Sequence, residues 1–496
     1  MNLKEYEKLC RTCDKILMST SSSVITKSIP WLHVLNAHPT TQQKYENIFN
    51  KTKNNTYISV FHSIVRFLRN ITAGYSLPPF VSSNPEIKQT DVLIFSHLIN
   101  KNQVGGDTDF YFGDIALDLK KEDLASQIVL NNHLGIRVDN IVGSWNKNSI
   151  PRIFLANRLS VKEELMILCM LVRESYRLFK CVNNEKDSSV KSIYKTSAKA
   201  AISFESVSAL RFSYQVENLV RKLKPTAIFT TMEGHAFERL AFYAARHVNP
   251  DVKCFGYQHA ILFPHQHSIK RSLGPDYDPD IIFTAGNKNI SVLEDGYQNK
   301  KVKFKNIGTH RYSCPKTIFD VTNWNVEPVC LVLPDGNLSE CLDLCRFAMQ
   351  AAAHIREIQF VIRLHPLNSV DMLVSEDVAF RKLPSNLSFS DNRDIQNDFN
   401  ISRWALYRGS GSAIHSVMAG CRPIYISSKE SISIDPLYMA NTGRKLANNI
   451  YDLKSILMSD SILEREVFLA ELECLFRYCK EYFMPTSSKN LMNELK

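Results

Sequence analysis

Two patterns of hydrophobic positions alternate along most of the chain. Short runs that are apolar at nearly every position, such as DVLIFSHL (91–98), AIFTT (227–231) and IIFTAG (281–286), are separated by longer stretches with apolar residues at helical spacing. Strands that are apolar throughout are typical of parallel sheets covered on both faces. The alternation therefore predicts α/β domains with helices on both sides of each sheet.

The alternation stops at TNWNVEP (322–328) and then starts again. Helices are predicted over 161–180, near 198–222 and over 235–248 before the break, and over 339–355 and 412–419 after it. The restart indicates a second sheet. We therefore predict two tandem Rossmann-like, doubly wound domains, at 86–322 and 323–496, preceded by a mostly helical N-terminal extension at 1–85.

The extension contains one amphipathic stretch, FHSIVRFLRNITAGY (61–75), with an apolar stripe and with Arg66 and Arg69 elsewhere on the helix. Such a stretch either packs on its own domain or lies on a membrane surface. The first residues carry charges where an export signal needs an apolar run, and no run of 18 apolar residues occurs. These features predict a cytoplasmic location, including the inner face of the cytoplasmic membrane.

The charge and cysteine content narrow the range of partners. The formal net charge of +10 suits anionic partners such as nucleotides or phospholipid headgroups. The chain has neither a Lys/Arg block long enough for a nucleic-acid arm nor a cysteine pattern with zinc spacing. We therefore expect no nucleic-acid partner, no bound metal and no cofactor.

Ligands of doubly wound sheets bind at the carboxyl ends of the strands, in loops that lead into helices. The stretch LYRGSGSAIHSVMAG (406–420) has this order. Gly409 and Gly411 allow close approach of the backbone, and Ser410 and Ser412 offer hydroxyls beside helix amides that attract anions. The loop predicts a phosphate site, although Ser412 alone is also explained as a helix cap.

Two further strand ends of the second domain carry candidate residues. Glu340 follows LPDGN at a helix start, where it favours the helix dipole or accepts a hydrogen bond from a ribose hydroxyl. In IRLHP (362–366), Arg363 and His365 are two apart and are expected to share one face of a strand that Pro366 ends. We predict that they contact a phosphate, the alternative being a structural histidine.

The first domain offers groups for proton transfer. Glu233 ends a strand in MEGHAFER, where apolar walls are expected to raise the pKa of its carboxyl and suit it as a general base. The next strand ends in GYQHA, which brings Gln258 and His259 to the same edge. The predicted contacts to the acceptor or the donor sugar are His235, Glu238, Gln258 and His265. Glu238 is alternatively paired with Arg239 or Arg246.

Together these motifs resemble those of bacterial GT-B glycosyltransferases that use CMP-activated sugars, the sialyltransferases and Kdo transferases of capsule and lipopolysaccharide assembly. The resemblance lies within residues 225–430 and rests on a Glu-Gly turn, a His-Pro strand end and a Ser-rich loop: Glu233, Gly234, His365, Pro366, Ser410 and Ser412. The pair EGHAFERLAF and GYQHA is similar to a group of bacterial surface-carbohydrate biosynthesis proteins built on that fold.

The resemblance implies a metal-independent transferase. The residues that hold the donor phosphate would be His365, Ser410 and Ser412, and Glu233 would deprotonate the acceptor. Sialyltransferases have two acidic residues before this glycine, whereas Met232 occupies the first position here. In CDP-glycerol transferases a histidine of the first domain is the base instead, and His259 is the candidate in this sequence.

The function predicted from the sequence is transfer of a sugar from a CMP-activated ulosonic acid, such as Kdo or sialic acid, to a glycan or lipid-linked glycan. Two alternatives keep the fold: a CDP-alditol phosphotransferase and a UDP-sugar epimerase. A third is a non-catalytic scaffold of a polysaccharide assembly complex. Contact with a membrane surface through 61–75 belongs to the same prediction.

Overall fold

The computed structural model describes residues 1–35, 45, 48, 80–86, 89–136, 150–156, 158–310, 315–320, 328–391, 394–427 and 432–496. Its architecture confirms the predicted fold class, two tandem Rossmann-like, doubly wound α/β domains. The amphipathic stretch at 61–75 lies outside the described residues. None of the described helices is both long enough and apolar enough to cross a membrane.

The first domain contains an eight-stranded sheet in the order β1-β4-β3-β2-β5-β6-β7-β8, parallel except for the pairing of β1 with β4. The strands are β1 (Phe80–Ser82), β2 (Val92–Leu98), β3 (Ser126–Asn132), β4 (Arg152–Leu155), β5 (Ala227–Thr231), β6 (Lys253–Gln258), β7 (Ile281–Thr284) and β8 (Lys303–Asn306). In β2, Leu93 and Phe95 enter the core on one face of the sheet and Val92 and Ile94 enter the core on the other. Burial on both faces explains why this strand is apolar at successive positions.

The helices of the first half are α1 (Leu3–Met18), α2 (Val24–Lys27), α3 (Ile115–Lys121), α4 (Val161–Asn184), α5 (Ser188–Ala201), α6 (Phe204–Leu223), α7 (Ala236–Val248) and α8 (Asn287–Gly296). The single helix expected near 198–222 is two helices, because Ser203 starts α6 by accepting a hydrogen bond from the Ser206 amide. Apolar side chains of α1 share a core cluster with Leu178, Ile193 and Leu240. The start of the chain is therefore packed on the first domain.

The second domain contains a six-stranded, fully parallel sheet in the order β11-β10-β9-β12-β13-β14. The strands are β9 (Val329–Leu333), β10 (Gln359–Ile362), β11 (Leu387–Phe389), β12 (Trp404–Tyr407), β13 (Arg422–Ile426) and β14 (Lys445–Ala447). The helices are α9 (Leu338–His354), α10 (Val370–Glu376), α11 (Ile395–Asn400), α12 (Ser412–Met418), α13 (Ile450–Ser461) and α14 (Arg465–Tyr482).

Both sheets reverse their strand order once, which creates a crevice at the carboxyl ends of two neighbouring strands. The reversal lies between β2 and β5 in the first domain and between β9 and β12 in the second. Ligands of doubly wound sheets bind at such reversals. We call these two places the first and the second switch point.

The end of the chain returns to the first domain after α14. The Met484 amide donates to the Ala285 carbonyl at 2.9 Å, and the Ser487 amide donates to the Ile307 carbonyl at 2.8 Å. The last helix, α15 (Lys489–Leu495), places Leu491 in the core of the first domain. Residues 80–82 and 484–495 thus belong to the first domain, outside the 86–322 expected from the sequence, because strand pairing and core burial place them there.

Candidate active site between the two domains

The turn after β5 is held in one conformation by Glu238. Its buried carboxylate accepts hydrogen bonds from the amides of Glu233 (2.9 Å), Gly234 (2.8 Å) and His235 (2.8 Å). Gly234 has a φ of +92°, and a Cβ there would lie 2.4 Å from the Ser268 carbonyl carbon. The turn therefore requires glycine at this position.

This geometry corrects the role predicted for Glu238. Its carboxylate is enclosed and engaged by backbone amides, so contact with a sugar is wrong. The alternative pairing with an arginine is wrong as well. Arg239 binds Asp278 at 2.8 Å, and Arg246 binds Asp280 at 2.9 Å.

Glu233 projects from this turn among histidines. Its Oε2 lies 3.2 Å from His235 Nε2 and its Oε1 lies 3.8 Å from His259 Nε2. Burial alone would raise the pKa of the Glu233 carboxyl, but the hydrogen bond to His235 and the nearby imidazoles of His259, His235 and His97 lower it to about 2. The predicted raised pKa is therefore wrong, because the sequence did not show that imidazoles surround this carboxylate.

The Glu233–His235 pair also changes the imidazole. Burial would lower the pKa of His235, but the hydrogen bond with Glu233 and the charges of Glu238 and Glu233 raise it. The His235 side chain is one-third exposed and stacks on the Phe237 ring at 5.0 Å. This imidazole is thus oriented by a carboxylate and reachable from solvent, the arrangement that suits a general base.

His97, at the carboxyl end of β2, is a residue of this site that sequence reasoning missed. Its Nε2 lies 3.0 Å from Thr231 Oγ1, and its Nδ1 lies 2.9 Å from His133 Nε2. The Thr231 hydroxyl donates to Glu238 Oε1 at 3.0 Å, so it accepts from His97, and His97 Nδ1 accepts from His133. Burial, with the neighbouring imidazoles, lowers the pKa of His97 to about 3, which keeps it neutral.

The two other predicted residues of the first domain, Gln258 and His265, lie in different places. Gln258 is buried, and its side-chain amide donates to the Ala260 carbonyl, so it shapes the loop after β6. His265 faces α1, where the Tyr6 hydroxyl donates to its carbonyl at 2.9 Å beside a cavity of about 320 Å³. Its ring lies edge-on to the Tyr6 ring at 6.5 Å, against the N-terminal helix.

At the second switch point an ion pair connects the first turn of α9 with the loop after β12. Arg408 Nε lies 2.6 Å from Glu340 Oε2, and both side chains are largely buried. Asn337 caps α9 by accepting from the amides of Ser339 (2.8 Å) and Glu340 (3.2 Å). Burial raises the pKa of Glu340 although Arg408 opposes the shift. Arg408 directly precedes Gly409 in the sequence, and it was not among the predicted site residues.

The Gly-Ser loop is built differently from a simple capped helix. Gly411 is the N-cap of α12 and Ser412 is its first residue, so the alternative in which Ser412 caps the helix is wrong. The largely buried Ser410 accepts from the Ser412 amide at 3.3 Å, and Gly409 is buried before it. The hydroxyls and amides predicted to bind phosphate thus lie together at the end of β12.

The strand β10 ends at Ile362, so Arg363 and His365 lie beyond the strand on which they were expected, and the strand end predicted at Pro366 is wrong. Arg363 binds the fully buried Asp398 of α11 at 3.0 Å, and its contact with a phosphate stays a prediction. His365 is half-buried, and its Nδ1 accepts from the Leu367 amide at 3.2 Å. Its Nδ1 would lie 2.9 Å from a Cβ on Gly336, so the imidazole borders the second switch point, while Pro366 is exposed beside it.

The Gly-Ser loop of the second domain contacts the loop after β6 of the first domain. A Cβ on Gly411 would lie 2.0 Å from Ile261 Cδ1, in the loop that begins with His259. The Leu262 amide in the same loop donates to the Tyr482 hydroxyl at 2.5 Å. The Gly-Ser loop therefore abuts the segment that carries one of the groups next to Glu233.

In the part of the chain that the structure describes, no group of three or more His, Cys, Asp or Glu side chains is arranged to hold a metal ion. Hydrogen-bond donors and ion pairs, by contrast, occur at both switch points. The chemistry available from these residues is proton transfer at the first and anion binding at the second.

No protein-family model matches the chain, and no curated protein matches it in sequence. Solved structures do match 82% of its length. One is the glycotransferase of kitacinnamycin, at 9% identity, over 99% of that chain with a TM-score of 0.46. Another is the S. aureus MnaA–UDP co-structure, at 10% identity, over 96% of that chain with a TM-score of 0.47. A third is the UDP-GlcNAc 2-epimerase from Neisseria meningitidis bound to UDP-GlcNAc, at 10% identity, over 99% of that chain with a TM-score of 0.45. Similarity at this level does not assign an activity.

Proposed function

We propose that the chain is a glycosyltransferase of the GT-B type that binds a nucleotide-activated sugar at the second switch point and its acceptor at the first. The observation that carries this proposal is the approach of Gly411 to Ile261. It brings a loop rich in hydrogen-bond donors to the segment that starts with His259, which lies 3.8 Å from Glu233. A donor phosphate and an acceptor hydroxyl would then share one cleft.

On the donor side, the leaving group is a nucleotide phosphate that gains negative charge as the glycosidic bond breaks. The Ser410 and Ser412 hydroxyls, the loop amides and the His365 imidazole are placed to donate to it. Donors fixed in advance lower the barrier because they stabilise charge in the transition state without reorganising. In this proposal they take the place of a metal ion, so turnover is expected to persist in EDTA.

On the acceptor side, we assign proton removal to the Glu233–His235 pair. A carboxylate with a pKa of about 2 is a weak base at neutral pH, whereas an imidazole with a raised pKa is a stronger one. Glu233 would orient His235 and stabilise its charged form. His259, only 7% exposed, would contribute charge and shape rather than direct contact.

The donor we propose is a CMP-activated ulosonic acid, Kdo or sialic acid, and the acceptor is a surface glycan. The support is the combination of the Glu-Gly turn, the His-Pro segment and the Gly-Ser loop. Thermal-shift measurements with CMP, CDP, UDP and GDP come first, followed by turnover with CMP-Kdo and CMP-sialic acid for wild type and His365→Ala. Stabilisation by CMP and loss of turnover in the variant are expected, and binding of no nucleotide sugar would end the proposal.

The same measurements separate the other activities that this fold hosts. Stabilisation by UDP in place of CMP, with an altered sugar nucleotide and no lengthened acceptor, would identify an epimerase. Transfer of an alditol phosphate from a CDP-linked donor would identify a phosphotransferase. Inactivity across all donors, together with a stable protein partner, would identify a scaffold.

A further inference from the structure

The outward face of α4 is apolar at positions where a helix on a protein surface is usually polar. The exposed side chains repeat at spacings of four and three residues, through Leu165, Cys169, Val172, Tyr176 and Phe179. The apolar side chains at 165, 172, 176 and 179, with Met166 beside them, are between 41% and 61% exposed. This stripe runs along four turns of one helix, and a contiguous exposed apolar stripe marks an interaction site.

The opposite face of α4 shows why the stripe points outward. Ile167, Leu171 and Leu178 are buried on that face. Glu164 forms an ion pair with Arg211 of α6 at 2.6 Å, and both side chains are almost fully buried. These contacts fix the rotation of the helix about its axis, so the stripe cannot turn toward the core.

The three carboxylates of α4 are all engaged locally. Glu163 accepts from the Ser160 amide at 3.0 Å in a capping box, Glu164 binds Arg211, and Glu174 binds Arg177 at 2.6 Å. The exposed charges that border the stripe are basic: Lys162, Arg173 and Lys180. The Lys180 ammonium lies 4.6 Å from the centre of the Tyr176 ring within the stripe.

The neighbouring helix α5 adds more positive charge. Lys191, Lys195 and Lys199 are exposed and follow one another at intervals of four residues, in a row along the helix. Burial and the charge of Lys195 lower the pKa of Lys199, as expected for lysines placed side by side. The acidic Asp187 at the turn between α4 and α5 is paired with Lys8 at 2.7 Å.

We propose that the apolar stripe of α4 and its basic border dock the protein on an anionic lipid surface, with the lysines of the neighbouring α5 adding to the positive charge. The apolar stripe would enter the boundary between headgroups and acyl chains, while the lysines and arginine contact lipid phosphates. A spacing of four and three residues also suits a coiled coil with a second copy. In such a pair, however, the basic borders of two identical stripes would face each other, which disfavours association.

The test is co-sedimentation of the full chain with vesicles of phosphatidylcholine, with and without one-third phosphatidylglycerol. One variant, Val172→Ser/Phe179→Ser, shortens the stripe, and another, Lys162→Gln/Arg173→Gln/Lys180→Gln, removes its basic border. The matched control is Tyr451→Ser/Ile462→Ser, because these residues of the second domain are 82% and 84% exposed. Circular dichroism and the thermal unfolding midpoint verify that each variant is folded.

We expect wild type and the control to bind anionic vesicles at least about tenfold more tightly than neutral ones, and both stripe variants to bind anionic vesicles about tenfold more weakly than wild type. Binding should also weaken as salt is raised, because salt screens the basic border. Wild-type binding that both folded variants retain, or equal binding to the two vesicle types, would overturn the proposal. A dimer that Val172→Ser/Phe179→Ser dissociates, without vesicle binding, would identify a second copy as the occupant.

Discussion

The two switch points have the same topology and different chemistry. In both sheets the strand order reverses once, between β2 and β5 and between β9 and β12. The first is surrounded by imidazoles and carboxylates whose pKa values are shifted by burial and by one another. The second offers a glycine-serine turn and one ion pair. The same backbone arrangement thus carries two different sets of side chains, for which we propose proton transfer at the first switch point and anion binding at the second.

The largest difference between the two switch points is expected when the same substitution, glycine to alanine, is made in the turn of each. Gly234→Ala introduces a Cβ at a φ of +92° and against the Ser268 backbone, so we expect a loss of more than about 2 kcal/mol in the free energy of unfolding, together with all turnover. Gly411→Ala meets only the flexible end of Ile261 and should cost less. Urea unfolding and turnover of both variants measure the difference, and equal losses would contradict it.

A second prediction concerns the proton-exchanging site. His235→Ala removes the exposed imidazole bound to Glu233, and we expect kcat to fall by about 10²–10⁴-fold because the acceptor hydroxyl loses its base. Donor binding should stay within about twofold, since the second switch point is untouched. The same fall in kcat for His265→Ala, which faces α1, would show that the effect is not specific to this site.

The pH dependence of turnover sharpens the assignment of the base. The pKa of His235 is raised above its ordinary value of 6.5, so kcat/KM should increase with pH through a midpoint above 6.5. Glu233→Gln removes the partner that raises this pKa, and the midpoint should move to lower pH. If Glu233 were the base, its pKa of about 2 would leave kcat/KM independent of pH from about 4 to 6.

The smallest effect is expected at the anion-binding turn. Ser410→Ala removes one hydroxyl that accepts from the Ser412 amide at 3.3 Å and is placed to donate to a phosphate. We expect CMP to bind about five- to tenfold more weakly, with kcat for saturating donor less affected. Calorimetric titration measures the affinity, and Ser416→Ala on the buried side of α12 is the control.

Strand ends were the part of the site that the sequence predicted best. Apolar runs located β5, β6, β9 and β12, and the rule that ligands bind at carboxyl ends then selected Glu233, His259 and the Gly-Ser loop. The same rule applied to β2 would have found His97.

Partners that are distant in the chain could not be predicted. Arg363 is bound by Asp398, which is 35 positions away, and the pKa of Glu233 depends on histidines that three different strands and loops supply. Met232, which replaces an acidic residue of the resembling family, is fully buried against Gly256. Burial explains why an apolar residue is stable at position 232. This burial depends on tertiary packing and could not be predicted from the sequence.

The return of the chain to the first domain joins the two domains by two covalent connections, one before β9 and one after α14. Two bodies linked once can swivel in any direction, whereas two separate links favour rotation about the line through both of them. Opening of the cleft is therefore expected to be a hinge rotation about the axis through the two connections. At one hinge, Gly308 has a φ of +70° and its backbone lies directly against the Pro485 carbonyl, which leaves no space for a side chain.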